Sequence, residues 1–331
     1  MKAVIFTNYG PPDVLELREI DKPAPKDDEV LIKVYATSVT AGEIEIRTLK
    51  LPLWLRLPMQ LWLGFRKPRK QILGQELAGV IEETGKNVTS FRKGDAVFGT
   101  TGFHMGANGQ YVCLSVKPQE GTLAKKPVNV SFEEAAVLPV AGLEALYFLR
   151  RGKLQSGQKV LVVGAGGSIG TFAVQLARYF GAEVTGVDKA EKLDMVRSIG
   201  ANHVIDFTQE DFTKNGEAYD VIFDVIGKSP FYASLKSLKP NGRYLLANPS
   251  LSDMLRGRWV SMKGNKQVIF GASNQSPEDL LYLGGLLEER KIKSIIDRIY
   301  PLEDVVEAHR YAESGQKKGN ITVTVHHEEN G

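Results

Sequence analysis

The sequence predicts an α/β protein in two parts, a β-rich first part followed by a parallel sheet wound with crossover helices. The chain has 331 residues, 43% hydrophobic and 24% charged, enough for about two domains at roughly 150 residues each. Up to about Thr122, short β-rich runs are separated by turn clusters, and from about Ser131 strands alternate with helices of 3.6-residue period. The boundary is expected near residue 124, giving domains 1–124 and 125–291, with residues 292–331 returning to the first.

The chain opens on a strand pattern at residues 1–6. Further runs follow at 30–34 and 78–81, punctuated by Gly10-Pro11-Pro12 and Lys93-Gly94-Asp95. Residues 51–65 are apolar, but Pro52, Arg56, Pro58 and Gln60 interrupt them and they fall short of the ~20 residues that a membrane span needs. Such a stretch should be buried against the body, a ligand, or a lipid or subunit contact. The run Arg66-Lys67-Pro68-Arg69-Lys70 reads as a solvated face. In the second part an apolar run at 160–163 meets a glycine turn at 164–170. Ile169, Phe172, Ala173, Leu176, Ala177 and Phe180 then form one helical stripe, closed by Gly181. With strands at 159–163, 184–187, 203–206, 220–224, 243–246 and 268–270, the sheet has six. The tail reads as a strand at 293–299, a helix at 302–312 and a strand at 321–325.

Charge and cysteine content narrow the function. Lys and Arg number 42 against 39 Asp and Glu, a net charge of +3 spread along the chain, whereas a nucleic-acid surface concentrates its base on one face. The single Cys113 cannot form an intramolecular disulfide or build a thiolate metal site. Neither a secretion signal nor a membrane span is read, so a cytoplasmic protein is expected.

The glycine turn carries the chemistry. A strand, a glycine-rich turn and a helix mouth let backbone amides approach a diphosphate, and the helix N-terminus favours its negative charge. The pattern is Ala165-x-Gly167-x-x-Gly170 preceded by Gly164, with alanine in place of the usual first glycine. Asp188 follows at the end of the next strand, where a carboxylate accepts from ribose hydroxyls. The expected dinucleotide contacts are therefore Gly164, Ala165, Gly166, Gly167, Ser168, Ile169, Gly170 and Asp188. Asp188 favours NADH by repelling a 2′-phosphate, while Lys189 and Lys192 pull toward NADPH, and Lys192 is a further cofactor candidate.

Several blocks occur in a family's order: the Gly10-Pro11 turn, Thr40-Ala41-Gly42-Glu43, Gly74-Gln75-Glu76, Lys93-Gly94-Asp95, Leu138-Pro139 and Ala141-Gly142-Leu143. With them the chain resembles the medium-chain dehydrogenase/reductase superfamily, in its zinc-free quinone oxidoreductase branch. The resemblance implies a GroES-like β-barrel domain, a Rossmann-type doubly wound parallel sheet, and an active cleft between the two. In zinc-dependent relatives Cys, His and Cys hold a catalytic metal; here Thr40-Ala41-Gly42, Gly74-Gln75-Glu76 and Val140-Ala141-Gly142 lack them, and the four cysteines of a structural zinc loop are missing. His104, His203, His309, His326 and His327 are scattered. No zinc is expected.

Without a Lewis acid, reduction of an electrophilic acceptor is easier than oxidation of an alcohol. The resemblance points to an NAD(P)H-dependent reductase of an apolar quinone or other activated carbonyl, with Thr40 and Gln75 as catalytic candidates near the acceptor oxygen. Both could instead serve only loop backbone, as could Glu43. Ala247 and Asn248 fall where relatives line the nicotinamide pocket, and Glu144 stands where they commonly carry Thr. If residues 51–65 cap the cleft, Trp54, Met59 and Trp62 line a pocket for a bulky acceptor. An enoyl or alkenal reductase, an alcohol dehydrogenase and a low-turnover dinucleotide-sensing protein are the alternatives. A homodimer paired through residues 267–270 is expected.

Overall fold

The computed structural model describes residues 1–51, 53–65, 67–102, 104–117 and 121–327, without the side chains of Leu53 and Trp54. The chain divides into two compact units. The first takes Met1–Val140, Gln275–Glu289 and Ile296–Gly331, the second Ala141–Asn274 and Arg290–Ile295.

In the first unit β1 (Lys2–Phe6) pairs antiparallel with β2 (Leu15–Glu19). The long β3 (Glu29–Ser38) is then followed by α1 (Ala41–Thr48) and α2 (Leu53–Leu63), so this part is not wholly β. The Thr40 hydroxyl starts α1 by accepting from Glu43 N at 3.1 Å, and α2 seats Leu63 in the core. β4 (Glu76–Thr84), β5 (Ala96–Thr100), β6 (Tyr111–Ser115), β7 (Thr122–Lys125) and α3 (Phe132–Ala136) follow. α3 opens with a reciprocal capping box between Ser131 and Glu134 and packs on β3 and β4. That packing moves the division from the expected residue 124 to Val140.

The second unit runs from α4 (Pro139–Arg151), which begins at the division, through β8 (Lys159–Val163), α5 (Ser168–Tyr179), β9 (Glu183–Asp188), α6 (Ala190–Ser198) and β10 (His203–Asp206). It continues with β11 (Tyr219–Asp224), α7 (Phe231–Lys236), β12 (Leu238–Leu246), α8 (Leu251–Lys263) and β13 (Gln267–Phe270). These six strands form one parallel sheet in the order β10-β9-β8-β11-β12-β13. Val160, Leu161 and Val162 on the central β8 are fully buried, which is why the strand reads as a continuous apolar run rather than an alternation. The chain leaves β8 first toward β9 and later toward β11, so the direction of winding reverses between β8 and β11. In such sheets that switch point, at the carboxyl ends of the strands, is where ligands bind.

The remaining elements are α9 (Pro277–Glu288), β14 (Ile296–Pro301), α10 (Val305–Glu313) and β15 (Asn320–Thr324). α9 belongs to the first unit, not to the expected 125–291 segment, because it packs on β7 and brings Gly284 against Phe98. β15 pairs antiparallel with β3 and parallel with β14, completing a seven-stranded sheet in the order β14-β15-β3-β4-β5-β7, with β6 also on β3. The expected strand at 293–299 begins at Ile296, since residues Arg290–Ile295 stay with the second unit. No helix among the described residues is long and apolar enough to cross a membrane.

Candidate functional site

The glycine turn is built as the local sequence requires. Gly164 leaves β8 with φ of 83°, a conformation open to glycine at little steric cost. A Cβ on Gly170 would stand 2.0 Å from the Gly164 carbonyl oxygen, so the first turn of α5 seats against the loop only with glycine there. A Cβ on Gly167 would meet that same oxygen at 3.4 Å and otherwise open space. Gly167 is the N-cap of α5 and brings no side-chain oxygen to the first-turn amides, an arrangement suited to an external anion. Gly167, Ser168 and Ile169 are half-buried at the mouth, while Gly164, Ala165 and Gly166 are buried behind them. Ala165 tolerates its methyl because it tucks toward Gly186 of β9, its N–H donating to Val187 O at 3.1 Å.

Asp188 does more than the sequence suggests. Its Oδ2 accepts from Gly166 N at 2.8 Å and its Oδ1 from Lys189 N at 2.9 Å, with Lys192 Nζ 3.7 Å from Oδ1. The carboxylate thus ties the turn to the end of β9, and the Lys192 stem covers Gly166, where a Cβ would lie 2.8 Å from Lys192 Cδ. Each carboxylate oxygen keeps a further lone pair for a ligand hydroxyl.

Beside the turn stands a second lock that sequence reading missed. Asp224, buried at the end of β11, accepts from Ile226 N at 3.0 Å, Gly227 N at 2.8 Å and Ser229 N at 3.1 Å, and from the Tyr244 hydroxyl at 3.3 Å. Gly227, at φ of 72°, passes so close to Asn248 that a Cβ would lie 1.9 Å from its carbonyl oxygen. Asn248 Nδ2 donates to Val225 O at 2.8 Å, and Ala247 N to Asp224 O at 3.1 Å. Ala247 and Asn248 are thereby fixed on the same carboxyl edge as the glycine turn. A strand-ending Asp followed by Gly three residues later was the available signal. Glu144 on α4 accepts from Ser273 N at 3.2 Å, and burial raises its pKa. This carboxylate holds the backbone after β13.

In the first unit Thr40 and Gln75 do meet. The Thr40 hydroxyl donates to Gln75 Oε1 at 2.5 Å, and Gln75 N donates to Glu43 Oε1 at 2.9 Å. Gly42 makes the approach possible, because a Cβ there would lie 2.5 Å from Gln75 Oε1. Behind them is a buried titratable cluster. Glu43 is fully buried, its Oε2 has no hydrogen-bond partner, and His309 Nε2 stands 3.9 Å away. Burial pushes Glu43 up to about 8. Burial, with the Arg47 charge nearby, pushes His309 down to about 3. Arg47 pairs with Glu313. Glu76 accepts from the Ser38 hydroxyl and, at 2.7 Å, from Val140 N; burial raises it to about 7. The Thr40-x-x-Glu43 spacing is a helix-start signature and could have drawn attention to Glu43; nothing local marks His309. Among the described residues no three His, Cys, Asp or Glu side chains gather to hold a metal.

Of the residues assigned to an acceptor pocket, the two whose side chains are described, Met59 and Trp62, fall on different faces of α2. Met59 packs against the first unit's core, Trp62 is exposed on α2, and the Trp54 side chain lies outside the described residues. The difference follows from the helical period, which turns Met59 and Leu63 inward together.

Residues 26–143 match the family described as Alcohol dehydrogenase GroES-like domain, and residues 199–323 the family described as Zinc-binding dehydrogenase. The chain is 30% identical over 337 residues to 2-methylene-furan-3-one reductase of Solanum lycopersicum, covering 98% of this chain and 79% of that one. It is 29% identical over 335 residues to the chloroplastic NADPH-dependent alkenal/one oxidoreductase of Arabidopsis thaliana, with the same coverage of 98% and 79%. The solved quinone oxidoreductase of Coxiella burnetii superposes with a TM-score of 0.87 at 28% identity, over 98% of this chain and 99% of that one. Similarity that runs almost end to end, over a parallel α/β sheet and a GroES-like domain, places the chain in the medium-chain dehydrogenase/reductase superfamily, in its quinone oxidoreductase-like branch.

Proposed function

We propose that the protein is a zinc-independent NAD(P)H-dependent reductase that passes hydride to an apolar quinone or another activated carbonyl. The observation that carries this reading is the glycine turn at the switch point, held open by Gly167 and tied to β9 by Asp188. In it the second unit is the dinucleotide-binding domain and the first the catalytic one. The amides around residues 167–170 hold a diphosphate, Asp188 accepts from ribose hydroxyls, and Ala247 and Asn248 offer a fixed edge to the nicotinamide end.

Reduced nicotinamide, when bound, supplies the hydride. The Thr40 hydroxyl turns from Gln75 Oε1 to the acceptor oxygen and stabilises the negative charge that develops as hydride arrives; a solvent proton completes the hydroxyl product. Gln75 holds the hydroxyl in place between turnovers. The donor set supports chemistry without zinc, because Thr40 and Gln75 offer no thiolate or imidazole and the described residues contain no three-ligand cluster.

Asp188 favours NADH, and the nearby Lys192 moderates that preference by offsetting its charge at 3.7 Å. Dissociation constants for NADH and NADPH test this: NADH should bind more tightly, and Lys192→Ala should widen the gap. Markedly tighter NADPH binding overturns the preference. Reduction of α,β-unsaturated carbonyls is a second reading, favoured by the likeness to a 2-methylene-furan-3-one reductase and to an NADPH-dependent alkenal/one oxidoreductase. Oxidation of NADH or NADPH followed with a panel of quinones, enals and ketones separates the acceptors. Tight dinucleotide binding with turnover of none would favour a sensor. We also assign a homodimer, since among the described residues β13 pairs only with β12, and Trp259 and Met262 are exposed on α8 beside it. A cytoplasmic location agrees with the single cysteine.

A further inference from the structure

The outer face of α2 and the loop behind it combine two properties that are seldom found together on a solvated surface. Leu57, Leu61 and Phe65 follow one another at four-residue steps and are 57%, 58% and 59% exposed, with Trp62 beside them at 38%. The opposite face is anchored: Leu63 is fully buried, Met59 packs on the core, and the Tyr9 hydroxyl donates to Gly64 O at 2.8 Å. The exposed stripe is therefore not a helix awaiting its own core. Around it the chain is uniformly basic. No Asp or Glu occurs between Glu45 and Glu76, while Arg56, Arg66, Lys67, Arg69 and Lys70 all fall within residues 51–75. Arg56, Lys67 and Arg69 are exposed, and Lys70 Nζ lies 5.3 Å from the Trp62 ring centre.

We propose that this face docks on an anionic lipid surface. Leu57, Leu61, Trp62 and Phe65 would enter the headgroup and acyl boundary while Arg56, Lys67 and Arg69 meet lipid phosphates. Large apolar side chains with an aromatic ring, on a stretch of chain that carries several cations and no Asp or Glu, match both layers of such a surface. A docking protein or a second copy of this chain would have to supply a matching acidic rim. The inference is independent of the hydride chemistry and needs no turnover to test.

The full chain is sedimented with vesicles of phosphatidylcholine alone and with vesicles carrying about 30% phosphatidylglycerol, at low and high salt. The expected result is at least about fivefold more bound protein on the anionic vesicles, most of it lost at high salt. Two variants, Leu57→Ser/Leu61→Ser/Phe65→Ser and Lys67→Glu/Arg69→Glu, should each lower that binding at least about fivefold while keeping the wild-type circular dichroism and dinucleotide affinity. Equal binding to both vesicle types, or wild-type binding by either folded variant, overturns the proposal. Analytical ultracentrifugation names the rival: absence of vesicle binding, with an oligomer that the serine variant splits, assigns the face to a second copy and also overturns it. If the serine variant does not fold, the charge variant and the salt response decide.

Discussion

Two glycines in one turn separate binding from folding. At Gly167 a side chain has room in the protein itself, its nearest neighbour standing at 3.4 Å, but intrudes where a diphosphate would come. Gly167→Val should therefore melt near the wild-type temperature and bind dinucleotide at least about tenfold more weakly, about 1.4 kcal/mol. Gly170→Ala puts a methyl group 2.0 Å from a backbone oxygen, an overpacking expected to cost about 1–3 kcal/mol. Thermal melts and titration calorimetry on the pair check both, and loss of binding without loss of stability in Gly170→Ala would contradict the assignment. Glu43 gives a pH signature. Its folded-state pKa, near 8, lies above its ordinary 4.5, so its contribution to stability is complete below about 4.5 and is lost as pH rises toward 8. His309 has the opposite sense: moved from 6.5 to about 3, it contributes fully above about 6.5 and loses that contribution as pH falls toward 3. Melting temperature should accordingly fall between about pH 6.5 and 8, and Glu43→Gln should flatten the fall, leaving the part due to Glu76. An unchanged slope would show that Glu43 is already ionised in the folded protein.

At the scale of elements, the parts set by neighbours in sequence are the parts that sequence predicts. β8, the turn and α5 are fixed by an apolar run, glycines and one helical stripe, and the strands at 203–206 and 220–224 fall within a residue of expectation. α1 and α2 were masked by the β-rich texture around them, although Thr40 and Glu43 carried the start signal of α1. The loop after β11 depends on Asp224, whose role appears only when Ile226, Gly227, Ser229 and Tyr244 converge on it. Asp224→Asn replaces an acceptor by a donor facing the Ser229 amide, and an unsatisfied buried group of this kind costs about 1–3 kcal/mol. Denaturant unfolding should register that loss, together with weaker dinucleotide binding from the loosened 225–229 and 247–248 loops. Unchanged stability would mean that the lock is redundant.

For the whole molecule, the doubly wound sheet was readable because each βαβ unit is local, whereas the first unit gathers three separate stretches of chain. The pairing of β15 with β3, and the meeting of His309 with Glu43, join residues from opposite ends of the sequence. No period or spacing encodes them. That residues 40–42, 74–76 and 140–142 contain neither Cys nor His was equally plain from sequence, because it depends on residue identity alone. All the proposed chemistry depends on the glycine turn accepting a dinucleotide. Isothermal titration calorimetry of the intact, folded protein with NADH and with NADPH measures this directly. Saturable one-site binding of at least one of them, abolished or strongly weakened in Gly167→Val, is the expected result; heat from neither, with folding verified in the same sample, would contradict it.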